Sequence, residues 1–320
     1  MGEKSRSIGE KLEGFGQNLY SLFGWNEILR DEEIPCRRST HKNPEGSKKK
    51  THGVDLLHSC IDPYKNRKLA IITECKNYQW KSINEKKISE WIEELVNTID
   101  CASVNEKISQ YSEEFETFNS GILLIHGNDT FNKDEFYGYL QKAKYPTRRH
   151  PVNLYIAGND KIEQWISLHD YINAKYRQGD QIFKFVYPFV GENRYSEHDH
   201  IAINHLFSRF VFARREYYKE DNSQQGKLVR KEPCEQYIIF CFDDFSEEAY
   251  RYACSMFKHF QFEKAKEYVF CFYPQTEHDI EHVNNNFINA LGKAEKQYAL
   301  DASKVKYDFL INPKISRVNY

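Results

Sequence analysis

Two apolar runs separated by a short polar turn limit this chain more than any other feature. Leu69 to Thr73 is apolar on both faces and β-branched at Ile71, Ile72 and Thr73, which suits a strand buried inside a sheet. Gly53 to Ser59 reads as a second strand, and the turn Asp62-Pro63-Tyr64-Lys65-Asn66 between the runs makes them antiparallel neighbours. Where the first run should continue with apolar residues, the sequence places Glu74, Cys75 and Lys76. Strand alternation puts Glu74 and Lys76 on one face and Cys75 on the other, while the neighbouring strand carries Asp55. Two carboxylates and a lysine are thus expected to converge at one end of a sheet. Burying them there is costly unless they pair with one another or hold a metal.

The order of elements around this pair is a helix carrying a Glu, a strand, a strand with Asp55, and a strand ending in Glu74-Cys75-Lys76. It resembles the PD-(D/E)XK nuclease superfamily. Glu74-Cys75-Lys76 matches the second half of that motif, and Val54-Asp55 stands where many members have Pro-Asp, a departure that many other members share. The resemblance covers about the first 175 residues. It implies a restriction-endonuclease-like α/β fold, a mixed sheet flanked by helices. It also implies a magnesium-dependent nuclease, with Mn²⁺ as a substitute ion. Asp55, Glu74 and the carbonyl of Cys75 would hold the ion, and Lys76 would orient the attacking water or stabilise the transition state.

The preceding helix is expected over Gly9 to Gly24, with Leu12, Phe15, Leu19, Leu22 and Phe23 as its core stripe. Glu13 falls on the flank of that stripe and Glu10 nearly opposite it. By resemblance to resolvase-like members, Glu13 completes the catalytic and metal set, with Glu10 as the alternative. Family habit further implies the effector of a bacterial restriction or antiphage defence system, acting on DNA rather than RNA. A protein partner such as an ATPase or helicase, or further copies of the chain, would belong to it. The alternative is a catalytically silent module that keeps the nuclease fold and binds nucleic acid or protein.

A net charge of −2 over 320 residues rules out a chain that binds nucleic acid through its overall charge, so any such contact must be local. Between Cys36 and Lys50 lie Arg37, Arg38, Lys42, Lys48, Lys49 and Lys50 against Glu45 alone. This run is expected to be either a solvated loop or a grip on a phosphate backbone. Gly46 and Ser47 suggest that it stays mobile until something binds. The eight cysteines are scattered without a CxxC and read as reduced thiols of a cytoplasmic protein. No apolar run reaches a membrane-spanning length of about 18 residues, and the opening residues lack the apolar stretch of a signal peptide.

Ile88 to Cys101 is expected to be a helix covering the sheet through Ile88, Trp91, Ile92, Leu95, Val96 and Ile99. Two later strands, at Gly121 and at Leu154, each end in Gly-Asn-Asp, and those polar residues read as helix caps. Composition resets near Gly179-Asp180, giving expected domains of 1–178 and 179–320. The second reads as a smaller α/β layer domain that binds a partner or regulates. Its expected elements include a strand from Ile182, a helix over His200–Arg214, a polar linker over Lys219–Glu232 and a single helix over Asp279–Tyr298. It has no Gly-rich phosphate loop. His278-Asp279-Ile280-Glu281-His282 fits a zinc-peptidase pattern but has no third ligand at suggestive spacing. His198, His200 and His205 read as a polar loop entering a helix.

Overall fold

The computed structural model describes residues 16, 19–21, 23–43, 46–188, 195–221, 230–243, 245–259, 265–298 and 300–311. The chain divides into two compact units, Met1–Ile162 and Glu163–Tyr320. The division falls inside a helix, whereas composition alone marked 178/179. The reset at Gly179 is the turn that follows that helix, where Gly179 adopts φ 68°.

In the first unit the two apolar runs become β2 (Thr51–Asp62) and β3 (Arg67–Tyr78), paired antiparallel from Asp62↔Arg67 to Leu56↔Thr73. Their turn is closed by the Asp62 carboxylate, which accepts from the N–H groups of Tyr64 and Lys65 at 3.0 and 3.3 Å. Asn66 takes the left-handed conformation there, at φ 49°, which Asn tolerates better than most residues. With β1 (Asn26–Pro35), β4 (Thr117–Gly127) and β5 (Asn153–Ala157) they form a sheet of order β1-β2-β3-β4-β5. The β1–β2 and β2–β3 pairs are antiparallel, and β3–β4 and β4–β5 are parallel. This is the expected mixed sheet.

Helix α1 (Glu85–Ala102) covers it with the expected stripe of Ile88, Trp91, Ile92, Leu95, Val96 and Ile99, all buried. Asn84 caps the helix by accepting from Lys87 N–H at 3.0 Å. Gly121 lets the helix approach β4, because a Cβ there would sit 2.8 Å from Ile99 Cδ1. On the chain before β1, Tyr20 stacks on Trp25 at 4.8 Å between ring centres, and His58 meets Tyr20 edge-on.

The two Gly-Asn-Asp turns do different work from simple capping. Helix α2 (Lys133–Lys142) is capped by Asn132, which accepts from Glu135 N–H, while Asp129 instead accepts from Trp80 and Thr130 N–H. Asn159, the first residue of α3 (Asn159–Lys175), bridges back to the end of β4. Its side-chain amide accepts from Gly127 N–H at 2.8 Å and donates to Gly127 O at 2.9 Å.

The second unit holds a six-stranded sheet of order β11-β10-β9-β8-β6-β7. Its strands are β6 (Ile182–Pro188), β7 (Tyr195–His198), β8 (Phe210–Asp221), β9 (Arg230–Cys241), β10 (Glu267–Phe272) and β11 (Val305–Phe309). Strands β9, β10 and β11 run parallel, and the other pairs are antiparallel. Helices α4 (Glu247–His259) and α5 (Ile288–Tyr298) pack on its core of Phe270, Phe272, Phe287 and Tyr250.

Three expectations are corrected here. Only Ile203–Leu206 of the helix expected at His200–Arg214 is helical, because the following apolar run Phe210–Ala213 is an interior strand of β8. The two ends of the expected linker, 219–221 and 230–232, extend β8 and β9 into a long pair reaching Asp221↔Arg230, and 222–229 lie outside the described residues. The helix expected over Asp279–Tyr298 begins two residues earlier and runs through without a break, but carries a π-helical turn at Val283–Phe287 between Glu277–His282 and α5.

Asn159→Ala would leave both backbone groups of Gly127 without this partner in a buried setting, at a cost of about 1–3 kcal/mol. Asn128→Ala, at an exposed position, should cost under about 0.5 kcal/mol. Urea unfolding of the two variants should separate them by that margin, and equal midpoints would show that the Asn159 bridge contributes nothing.

Candidate active site

The β2–β3 ladder stops at Leu56↔Thr73, one step short of Asp55 and Glu74. Beyond that point the backbone N–H of Cys75 donates to Asp55 Oδ2 at 2.7 Å, so a side chain continues the ladder where the strand leaves it. This contact clamps Asp55 against the Glu-Cys-Lys segment. Strands β3 and β4 remain paired through the same stretch, with Glu74↔Leu123 and Lys76↔Ile125, which fixes both side chains over the face that α1 covers. Lys76 Nζ lies 2.5 Å from Glu74 Oε1 and 3.5 Å from Glu94 Oε2 on α1, and its side chain is only 15% exposed. Sequence reasoning missed Glu94. Its position three residues past Trp91 on the helix could have marked it as facing the strand that ends in lysine.

The electrostatics follow from burial. Burial and the neighbouring charge of Glu74 push the Asp55 carboxyl up to about 7, although the Cys75 N–H and Lys76 act in the other direction. Asp31, held at φ 49° in β1 between the residues that face Val54 and Leu56, adds further negative charge against Asp55. For Lys76, burial disfavours the ammonium, but Glu74, Glu94 and Asp55 outweigh it and hold its pKa above the ordinary value. The lysine is therefore charged at neutral pH. Two neighbouring carboxylates that repel one another, Glu74 buried and Asp55 half-buried, fit a hard divalent cation with oxygen ligands, which would relieve the repulsion directly.

Asp55, Glu74 and Lys76 are thus brought together. Cys75 contributes its backbone to the same spot. Glu13, and Glu10 as its alternative, lie outside the described residues.

The basic residues fall into two groups. Arg37 and Arg38 line a cleft of about 750 Å³ together with Arg148, Arg149 and His150, a run that sequence reasoning passed over. Its only signal was three basic residues in succession after a proline and a threonine. Lys42, Lys48 and Lys50 are exposed on the adjoining loop, and Lys49 is half-buried. That loop is tied rather than loose. Lys42 bridges Lys48, Lys49 N–H donates to His41 O at 2.9 Å, and Cys36 N–H donates to Lys50 O at 2.8 Å. Gly46, at φ 82°, serves the turn.

The peptidase-like histidines form no centre. His278 and Glu281 approach to 3.8 Å with both side chains more than 80% exposed. His205 is half-buried against Tyr187, its ring 4.6 Å away, and desolvation holds its pKa down to about 4. No described helix is long and apolar enough to cross a membrane.

Residues 1–161 match the family described as the GAPS4 protein PD-(D/E)XK nuclease domain. No curated protein matches the chain. A solved structure described as a crystal structure of Aa-Ago with externally bound siRNA aligns over 89% of this chain, at 11% identity and a TM-score of 0.18. The chain spans 40% of that solved chain's length, and a likeness at this score carries no argument.

The raised Asp55 pKa has a stability consequence. Between the ordinary carboxyl value of 3.8 and about 7, the folded state keeps a proton that the unfolded chain has lost. Without divalent ions, folding stability should therefore fall as pH rises through that window. Asp55→Asn keeps an acceptor for Cys75 N–H and removes the titration. At pH 8 in chelator it should be more stable than the parent by up to about 4 kcal/mol, at about 1.4 kcal/mol per pKa unit, with the difference vanishing near pH 4. Parallel stability curves for the two proteins would contradict the burial of this charge.

Proposed function

The chain belongs to the family of the GAPS4 protein PD-(D/E)XK nuclease domain, and on that premise we propose that it is a metal-dependent nuclease hydrolysing DNA phosphodiesters. The observation that carries this reading is the convergence of Asp55, Glu74 and Lys76, with Asp55 fixed by the Cys75 N–H. Asp55 and Glu74 would hold Mg²⁺ or Mn²⁺, with the Cys75 carbonyl and Glu13 completing the set. When bound, such an ion activates water and neutralises charge on the phosphate oxygens.

The chain's own residues do the rest. Lys76, kept charged by Glu74 and Glu94, offers a preorganised ammonium to the developing charge on phosphorus or to the attacking water. Glu94, on α1, would keep that ammonium in place were Glu74 engaged in holding an ion. Arg37, Arg38, Lys42 and Lys48–Lys50 would track the phosphate backbone, joined in the cleft by Arg148 and Arg149. Phosphate contacts of this kind do not choose between duplex DNA and RNA, and DNA is the substrate proposed here. The sequence of the second unit carries no Gly-rich phosphate motif, which supports an effector that works with a partner, such as an ATPase or helicase of an antiphage system, or with further copies of itself.

Incubating the protein and its partner-containing lysate with plasmid, linear and single-stranded DNA and with RNA tests the reading. Cleavage of DNA should require Mg²⁺ or Mn²⁺ and stop in EDTA. Asp55→Ala and Lys76→Ala should each lower it by at least about 100-fold. Cleavage that survives both substitutions would place the chemistry elsewhere.

The basic loop can be tested separately. In the Asp55→Ala background, replacing Lys48, Lys49 and Lys50 with Gln should weaken DNA binding whatever the base sequence. The slope of log affinity against log salt should become shallower by up to about 3, near 0.9 for each phosphate no longer neutralised. An unchanged slope would mean that these lysines are merely solvated.

A further inference from the structure

Away from the carboxylates, four side chains from separate stretches of the chain meet in the first unit. Cys36 follows β1, His41 sits in the basic loop, His52 opens β2, and Cys101 lies in the last turn of α1. One ligand atom from each lies within 4.8 Å of every other, and all but Cys36 are buried. We propose that these residues form a structural zinc site of the Cys₂His₂ kind, which pins the basic loop to the sheet and to α1.

The distances carry the argument. Metal–ligand lengths of about 2.3 Å to sulfur and about 2.05 Å to nitrogen, at tetrahedral angles, require S···S of about 3.8 Å, S···N of about 3.5 Å and N···N of about 3.3 Å. Here Cys36 Sγ and Cys101 Sγ are 3.9 Å apart. His41 Nδ1 lies 3.5 Å from each sulfur and 3.3 Å from His52 Nε2. Four of the six edges thus match a tetrahedron sized for zinc, and the two between His52 and the sulfurs are no longer than 4.8 Å. A disulfide would instead need sulfurs about 2.05 Å apart.

The surroundings also suit a metal. Asp100 Oδ2 lies 3.9 Å from His41 Nε2, the nitrogen turned away from the cluster, and Asp100 is itself held by Arg148 Nε at 3.0 Å. A carboxylate behind a ligating imidazole fixes its ring orientation and raises its basicity. Arg37 N–H donates to Cys101 Sγ at 3.4 Å, a contact that supports a thiolate. Both rings are buried, and each turns a ring nitrogen toward the cluster. Two soft sulfurs and two imidazoles in a closed tetrahedron select zinc over magnesium or calcium.

The role follows from position. No reacting group needs to reach a closed four-ligand centre, so its work is structural. It fastens the segment between Cys36 and His52, which carries six of the basic residues, to a helix some fifty residues further along the chain. The same helix turn and Arg148 line the arginine cleft, so the metal would set the spacing of Arg37 and Arg38 from Arg148 and Arg149.

The full chain, incubated with a slight excess of Zn²⁺ and desalted, should retain about one zinc per chain by elemental analysis. Exchange with Co²⁺ should give the strong visible absorption of a tetrahedral thiolate complex. Cys36→Ser with Cys101→Ser should abolish both signals. His52→Cys, which keeps four ligands, should retain the metal, and Asp55→Ala should retain it as well, separating this centre from the carboxylates. Stripping the zinc should expose the basic loop to protease, and adding it back should restore protection. Wild type that holds no zinc after incubation would overturn the proposal. So would zinc undiminished in the double serine variant, or an intact mass two hydrogens lighter that shows a Cys36–Cys101 disulfide.

Discussion

A single backbone N–H decides where the Asp55 carboxylate is held. Strand β3 runs past the last residue that β2 pairs with, and the Cys75 N–H is taken by the Asp55 carboxylate instead of a carbonyl. A carboxylate doing the work of a ladder partner is held in one place, desolvated and next to Glu74. Its raised pKa, the charged Lys76 clamped between Glu74 and Glu94, and the affinity proposed for a divalent ion are consequences of that placement. The hairpin, its Asx turn and the covering helix α1 keep the placement rigid.

Much of this was legible because local pattern and tertiary context agree along β2 and β3. An apolar β-branched run that ends in Glu-x-Lys reads as an interior strand with a charged pair at its end, and α1 showed its core face by spacing alone. Agreement failed where one pattern serves two structures. Phe210–Ala213 has the apolar density of a buried helix or a buried strand, and only its partners in β9 and β6 decide for strand. The Gly-Asn-Asp turns carry cap chemistry in sequence. Yet Asn159 spends its amide on Gly127, over thirty residues away, because β4 and β5 run parallel and their ends lie side by side.

The sulfur and imidazole cluster escaped sequence reading for a related reason. Its first three members span 36 to 52 with no familiar spacing, and the fourth lies forty-nine residues further on, brought back by α1. Cys101 read as one apolar residue in a core stripe. The basic loop also changes meaning in this light, since its charges are displayed on a segment whose central histidine is turned inward. The second unit shows the converse case. Its α/β alternation was plain, but no cluster of at least three His, Cys, Asp or Glu ligands converges in it among the described residues.

The claim on which the rest depends is that Asp55 and Glu74 share one divalent ion. Crystals soaked in Mn²⁺ and measured at the manganese absorption edge address it directly. An anomalous peak about 2.2 Å from an oxygen of each carboxylate, and absent from crystals of Asp55→Ala, is the expected result. Manganese bound only elsewhere, with Lys76 still closing on Glu74 at saturating ion, would contradict the account.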